Sequence, residues 1–431
     1  MHRLAKIFIF LFIVSLPWQT RWIFFDASLG GQVWEYGRLS FYGSMIILLA
    51  ALVVNFFSQK PRLAWSKNKW LYIFLFYLVL ISIFSSWPLI SFYYLGLVIL
   101  ALLFALLSKK FSWDFLSLAW LISGTGQAVL AIGQFFSQKI SADKWLGLAE
   151  HLAKDPGASV VQVGDQRWLR AYGALTHPNV LGGFLLVSIV ASVYWWQKIY
   201  QAGENSQWSR EFMKKSWWHL IIVIIALVLQ TAGLALTFSR GALLALLVFI
   251  LLIFIFSLKN KLNLWRQIII KYFVLLILSI LLINYFLPNA WLNRIESRGR
   301  LEDISTSQRI SSWQQINWRN PKEVILGQGL GTNTFVAWAK SEQKHKMSYD
   351  FQPIHNIYLL ALGEIGLIGF LSLVFLLWRF FRKKIKPDFF GFSLLISVLA
   401  LGLFDHYLWT SWVGLCILFF AIINFSRQFN K

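Results

Sequence analysis

Leu234-Ala235-Leu236-Thr237-Phe238-Ser239-Arg240-Gly241-Ala242-Leu243 is the stretch that decides the fold. The 43 residues between Lys215 and Lys259 carry one formal charge, on Arg240. The apolar run around it, Trp217 to Leu258, is 42 residues long. As a single helix it would extend about 63 Å, about twice the hydrocarbon thickness of a bilayer. The chain must turn back near its middle, where Ser239-Arg240-Gly241 offers turn-capable residues. Arg240 then sits at the end of a tight helical hairpin, not at the bilayer centre, where a charge costs about 3 kcal/mol or more. A helix opening at Gly241 presents free N–H groups and the positive end of its dipole there. With the arginine, that end makes an anion site suited to phosphate. The alternative is an arginine that snorkels into the headgroups and anchors the turn.

The rest of the chain has the same character. It is 58% hydrophobic and 13% charged, and long apolar runs recur. We read an all-α polytopic membrane protein with twelve spans. They lie near 4–21, 39–57, 70–86, 88–107, 115–136, 177–197, 218–237, 240–257, 268–287, 354–378, 389–405 and 407–425. Residues 1–431 form a single integral membrane domain. The N-terminus resembles a signal peptide without a small-residue cleavage site, so we read it as an uncleaved first span. The lone Cys416 can form no intrachain disulfide. A net charge of +22 would suggest nucleic acid in a soluble chain. Here the bilayer accounts for it. With both termini cytoplasmic, the inner segments hold 23 Lys/Arg against four acids, and the outer ones 17 against 14.

Two outer loops are long, 137–176 and 288–353. In the second, Ser305-Thr306-Ser307-Gln308 fits a capping box. Ile310, Trp313, Ile316 and Trp318 follow near helical spacing, and Pro321 reads as a stop. This predicts an amphipathic helix near 305–320 on the membrane interface.

Polar residues gather at outer helix starts. Thr176-His177-Pro178-Asn179 precedes the sixth span, with proline in the first turn; His177 is either a plain helix start or part of a site. Pro353-Ile354-His355-Asn356 opens the tenth. Histidine titrates near neutral pH, so His355 could be a general base or a structural interfacial residue. Gly363, Gly366 and Gly369 then give a small-residue face for close helix packing. Asp405-His406 starts the last span and is a reserve acid–base pair. Arg309 lies in the interfacial helix, facing either headgroups or a ligand. Gly327-Gln328-Gly329-Leu330-Gly331-Thr332 lacks the spacing of a nucleotide loop and reads as a tight turn. No zinc spacing or acidic metal pair stands out, and neither a metal nor another cofactor is expected. A basic, outward-facing cavity above a membrane core suits an anionic, lipid-linked substrate.

These residues resemble the O-antigen ligase family, which includes O-antigen polymerases and bacterial protein O-oligosaccharyltransferases. The resemblance rests on Thr176-His177-Pro178-Asn179-x-Leu181-Gly182 and Thr237-x-Ser239-Arg240-Gly241-Ala242. It continues with Arg309-x3-Trp313, then Gly327-x-Gly329-x-Gly331-Thr332, and His355-Asn356-x9-Gly366-x-x-Gly369, in order, over about 115 to 420. It implies a glycosyltransferase of the bacterial cytoplasmic membrane with its site on the periplasmic face. Such an enzyme moves a glycan from an undecaprenyl-diphosphate carrier to a hydroxyl of an acceptor glycolipid or glycan, without a metal. Arg240 and Arg309 would hold the diphosphate and His355 would position or deprotonate the acceptor, with His177, Asn356, Asp405 and His406 as secondary candidates. A polymerase joining lipid-linked repeats is the alternative within the class. A non-catalytic transporter of lipid-linked glycan is the alternative outside it.

Overall fold

The computed structural model describes residues 2–58, 69–163, 166–204, 209–288, 290–295, 307, 309–341, 347–382 and 388–425. Each of the twelve apolar stretches contains a helix. They are α1 (His2–Ser15), α2 (Gly43–Ser58), α3 (Lys69–Ile83), α4 (Pro88–Ser108), α5 (Trp113–Ser137) and α6 (Pro178–Glu204). Then come α7 (Ser209–Leu236), α8 (Arg240–Lys259), α9 (Asn263–Phe286) and the short α10 (Ala290–Ile295). Among the described residues, seven helices are long and apolar enough to cross a bilayer, which makes this a polytopic membrane protein. α1, α2, α3 and the last two apolar helices, Phe389–Leu401 and Trp412–Asn424, have 13 to 16 residues. They fall short of the roughly 20 residues that a perpendicular span needs.

α6 is the centre of the bundle, 89% buried, whereas α9 is 22% buried and lies at its rim. α5 and α7 flank α6, and α8 runs beside α9. The rim helices keep exposed Leu281, Leu282, Tyr285 and Phe286, as lipid contact requires.

Three regions differ from the sequence reading. The first helix stops at Ser15, and the chain then forms an antiparallel hairpin, β1 (Arg21–Leu29) and β2 (Gln32–Tyr42). The span read as 39–57 therefore starts at Gly43. Gly30 and Gly31 make the two-residue turn, both at positive φ (57° and 80°), which glycine adopts without strain. The 137–176 loop adds two smaller hairpins, β3 (Lys139–Ile140) with β4 (His151–Leu152) and β5 (Val160–Val163) with β6 (Gln166–Leu169). The fold is thus mostly helical rather than all-α.

The interfacial helix is also shorter than 305–320. Ser305, Thr306 and Gln308 of the expected capping box lie outside the described residues. Residues 309–312 are helical, Trp313–Gln315 tightens to a 3-10 turn, and Ile316 is extended. Ile310, Trp313 and Trp318 are exposed, while Ile316 is buried. Pro321 starts a helix rather than stopping one: it is the first residue of α11 (Pro321–Leu326), where its missing N–H costs nothing. α12 (Asn333–Lys340) follows.

The third difference is in α13 (Ile357–Arg382). Gly366 is left-handed (φ 65°), so the helix breaks there and the three glycines do not form one packing face. The glycine-rich loop docks onto the break. Gln328 N and Gly329 N donate to the carbonyls of Gly363 and Glu364 at 3.1 and 2.9 Å. The Tyr77 hydroxyl lies 2.7 Å from the Ile365 carbonyl oxygen. These donors meet carbonyls that an unbroken helix would have satisfied itself, as burial in a bilayer demands. The approach leaves no space for side chains: a Cβ on Gly327 would overlap the Glu364 carbonyl and the Gly366 nitrogen. The loop thereby pins the first turns of α13, just after His355, against the rest of the bundle. α14 (Phe389–Leu401), α15 (Tyr407–Thr410) and α16 (Trp412–Asn424) complete the chain.

Candidate active site

The α7–α8 hairpin turns at Thr237-Phe238-Ser239. Phe238 takes a left-handed φ of 49°, unusual for a bulky residue. Its fully buried ring is clamped by Trp291 (5.1 Å, stacked) and Phe135 (6.1 Å), which supplies the over-determination that such strain needs. The Ser239 hydroxyl caps α8 by accepting from Ala242 N at 3.4 Å. Arg240 is the first residue of that helix, and its Nη1 donates to the Arg294 carbonyl at 3.0 Å.

Two more arginines serve the same turn. Arg294 Nε donates to Phe238 O at 3.1 Å, and Arg170 Nε donates to Thr237 O at 2.6 Å. Both side chains are buried. They satisfy carbonyls at the end of α7 that have no helical partner. Arg170 Nη2 also donates to Asn179 Oδ1 (2.7 Å), and Asn179 Nδ2 donates to Asp405 Oδ2 (2.6 Å). The other Asp405 oxygen accepts from the His406 backbone N–H at 2.8 Å. A chain of buried polar contacts thus runs from the hairpin turn, through the start of α6, to the loop between α14 and α15.

The histidines divide by their partners. His177 Nδ1 accepts from Asn179 N (3.1 Å), so its proton is on Nε2, which bonds the Ser159 hydroxyl at 2.7 Å. With both nitrogens committed, His177 acts as a helix-start residue. His406 Nδ1 lies 2.8 Å from Thr410 Oγ1, and its Nε2 lies 3.4 Å from the Tyr36 hydroxyl of β2. Its ring meets that of His355 edge-on at 4.9 Å. His355 Nδ1 is buried and has no hydrogen-bond partner among the described residues. Asn356 caps α13: its Oδ1 accepts from Tyr358 N (3.0 Å) and Leu359 N (3.1 Å). It positions His355 by fixing where the helix begins.

Burial dominates the electrostatics. It lowers the pKa of His355 from the ordinary 6.5 to about 3, with His406 and Arg309 acting in the same direction and Asp405 against them. Burial, then Arg170, does the same for His177, also to about 3. His406 is lowered by burial as well, against the pull of Asp405. Burial works against the Asp405 carboxylate, yet its interactions with His406, the other two histidines and Arg309 hold its pKa below the usual range. At neutral pH the cluster therefore holds three neutral imidazoles and one carboxylate.

Two cavities meet this cluster. The small one is lined by Ser239, Arg240, Arg294, Arg309, Asn179 and Asp405, at the N-terminus of α8. The second is a cleft of about 980 Å³, bounded by residues 311–319 on one side and by Phe351, Gln352 and His355 on another. The segment that carries Arg309 into the first cavity thus continues along the wall of the second. Of the residues singled out in the sequence, Arg240, Arg309 and Asp405 line the first cavity, His355 lines the second, and His406 packs against His355. His177 and Asn356 line neither cavity, and both make hydrogen bonds at helix starts. Arg170, Arg294 and Tyr36 escaped sequence reasoning. They lie in a loop, in the short α10 and in a strand, away from the starts of the apolar helices, and only tertiary contact reveals them.

No curated protein and no solved structure matches this chain. A family model described as O-antigen ligase matches residues 225–374, about a third of the chain. The match takes in Arg240, Arg309 and His355, and stops short of Asp405 and His406. Over this segment, which brings two arginines and a histidine to adjoining cavities, the chain is similar to the O-antigen ligase family.

Proposed function

We propose that the protein is a membrane glycosyltransferase that moves a glycan from an undecaprenyl-diphosphate carrier to an acceptor hydroxyl. The observation that carries this reading is the lining of the small cavity, where Arg240, Arg294, Arg309 and Asp405 meet among the described residues. An arginine-rich lining suits a negative charge. A diphosphate supplies that charge, and the N-terminus of α8 favours it further. The acceptor oxygen attacks the anomeric carbon, and the bond from that carbon to the diphosphate oxygen breaks with its electron pair. Arg240 and Arg309 stabilise the charge that grows on this leaving oxygen. Neutral His355 takes the acceptor proton as the new bond forms, and displacement in line inverts the anomeric centre. The cleft beside His355 has room for a large acceptor, so a polymerase that joins lipid-linked repeats fits the same geometry.

The carrier itself tests the reading. Purified protein in nanodiscs should bind undecaprenyl diphosphate at least roughly tenfold tighter than undecaprenyl monophosphate, because the extra phosphate adds charge-assisted hydrogen bonds. Equal affinity for the two would remove the diphosphate site.

We place the enzyme in the bacterial cytoplasmic membrane with the site on the periplasmic face and twelve spans. Single cysteines at Ser137 and Ser341 should then react with an impermeant thiol reagent in cells with a permeabilised outer membrane. One at Asn260, on the α8–α9 turn, should not. The native Cys416 is buried and does not compete. Labelling at Asn260 alone would reverse the orientation.

A further inference from the structure

We propose that the large cleft is a saccharide-binding subsite for the acceptor, and that it favours a chain bearing an anionic group. The inference rests on the transfer reading above. At about 980 Å³ the cleft is at the upper end of ligand sites, roughly 300–1,000 Å³, which suits several sugar rings. Its lining combines two kinds of group. Gln314, Gln315, Asn317 and Gln352 bring amides, which can both donate to and accept from hydroxyls. Trp318 brings a large aromatic face that is 58% exposed. A sugar ring has an apolar C–H face and a rim of hydroxyls, and this pairing matches both.

The groups are held in place before any ligand arrives. Trp318 N donates to Ile316 O at 3.1 Å, and Arg319 N donates to Asn317 Oδ1 at 3.2 Å. This turn fixes the backbone from which both Trp318 and Arg319 line the cleft. Gln315 Nε2 donates to Gln352 O at 2.8 Å, bridging two walls. Gln315 Oε1 is buried and has no partner among the described residues. A ligand hydroxyl can supply the missing donor.

Charge selects further. Among the described residues, Arg319 and Lys340 line the cleft against one acid, Asp350, and His355 there is neutral. Lys340 is paired with Glu323, and Asp350 accepts from Met347 N at 3.2 Å. Arg319 is exposed and is the cation best placed to meet a uronate or phosphate substituent. Trp318 and His355 line the same cleft, so a saccharide held there shares the cavity with the base.

The test is direct binding to the purified protein in nanodiscs, with tetragalacturonate and its carboxyl-reduced counterpart, tetragalactose, as probes. The two differ only at C6, a carboxylate in one and a neutral hydroxymethyl group in the other. Wild type should bind the acidic tetramer about fivefold tighter than the neutral one, and Arg319→Gln should abolish that difference. Trp318→Ala should weaken both about tenfold, and Trp318→Phe should recover most of the loss. Undecaprenyl diphosphate binding should stay unchanged in all three variants, which also shows that they are folded. Failure of wild type to bind either tetramer at millimolar concentration overturns the subsite, as does unchanged affinity in folded Trp318→Ala. Equal affinity for the two tetramers overturns the anionic preference. Saccharide binding by a protein that does not bind undecaprenyl diphosphate supports the subsite while sinking the transfer reading.

Discussion

His355→Ala is expected to slow glycan transfer about 100- to 10,000-fold, the range contributed by a positioned base, with carrier affinity nearly unchanged. The separation follows from the geometry. The arginines line the small cavity, whereas His355 stands at the wall of the cleft, against His406. The pH profile gives the second signature. Only neutral imidazole can accept a proton, and burial keeps His355 neutral down to about 3. The free-enzyme parameter, kcat/KM, should therefore hold its value below the usual histidine range and fall only well into acid. Bound diphosphate is an anion nearby and raises the histidine's pKa. The acid limb of kcat should accordingly lie at higher pH than that of kcat/KM. A His355 that bound phosphate instead would need its proton. Its loss would weaken carrier binding and the rate would rise toward acid, and that pair of results would sink the base assignment in favour of Asp405 or His406.

Arg240→Lys is expected to reduce transfer roughly 100-fold with normal insertion, the scale on which a lost oxyanion donor is felt. Lysine keeps the charge but not the planar fork. Arg240 donates through Nη1 to the Arg294 carbonyl and also lines the cavity. An ammonium cannot span both. Transfer at the wild-type rate by the lysine variant would mean that Arg240 only anchors the turn in the headgroups.

The parts of this site that could be read beforehand are those that membrane physics forces. An apolar run twice the bilayer thickness has to turn, and the turn is where Arg240 lies. His355 and Asp405 are legible because each precedes an apolar run at a helix start. Arg170 and Arg294 carry no such signal. They are chosen by carbonyls that the turn leaves unpaired, and those carbonyls exist only once α7 and α8 are folded back. The β1–β2 hairpin was within reach, since Gly30-Gly31 between aromatic-rich runs is a two-residue turn signal. The adjoining apolar stretches, 4–21 and 39–57, masked it, and bulges between Ile23 and Phe25 and between Asp26 and Ser28 blur its alternation. Gly366 misled for a different reason. Regular glycine spacing describes a helix face only if the helix continues, and whether Gly366 is left-handed depends on the Gly327–Gly331 loop docking there from far along the chain.

The most direct measurement is the balance of products. Purified protein is given undecaprenyl-diphosphate-linked glycan and an acceptor, and both released carrier and glycosylated acceptor are counted. Free undecaprenyl diphosphate should appear one-for-one with the new glycosidic bond, and neither should form with His355→Ala beyond a trace. Movement of intact lipid-linked glycan across a vesicle membrane, with no carrier released, would instead make the protein a transporter and contradict the transfer mechanism.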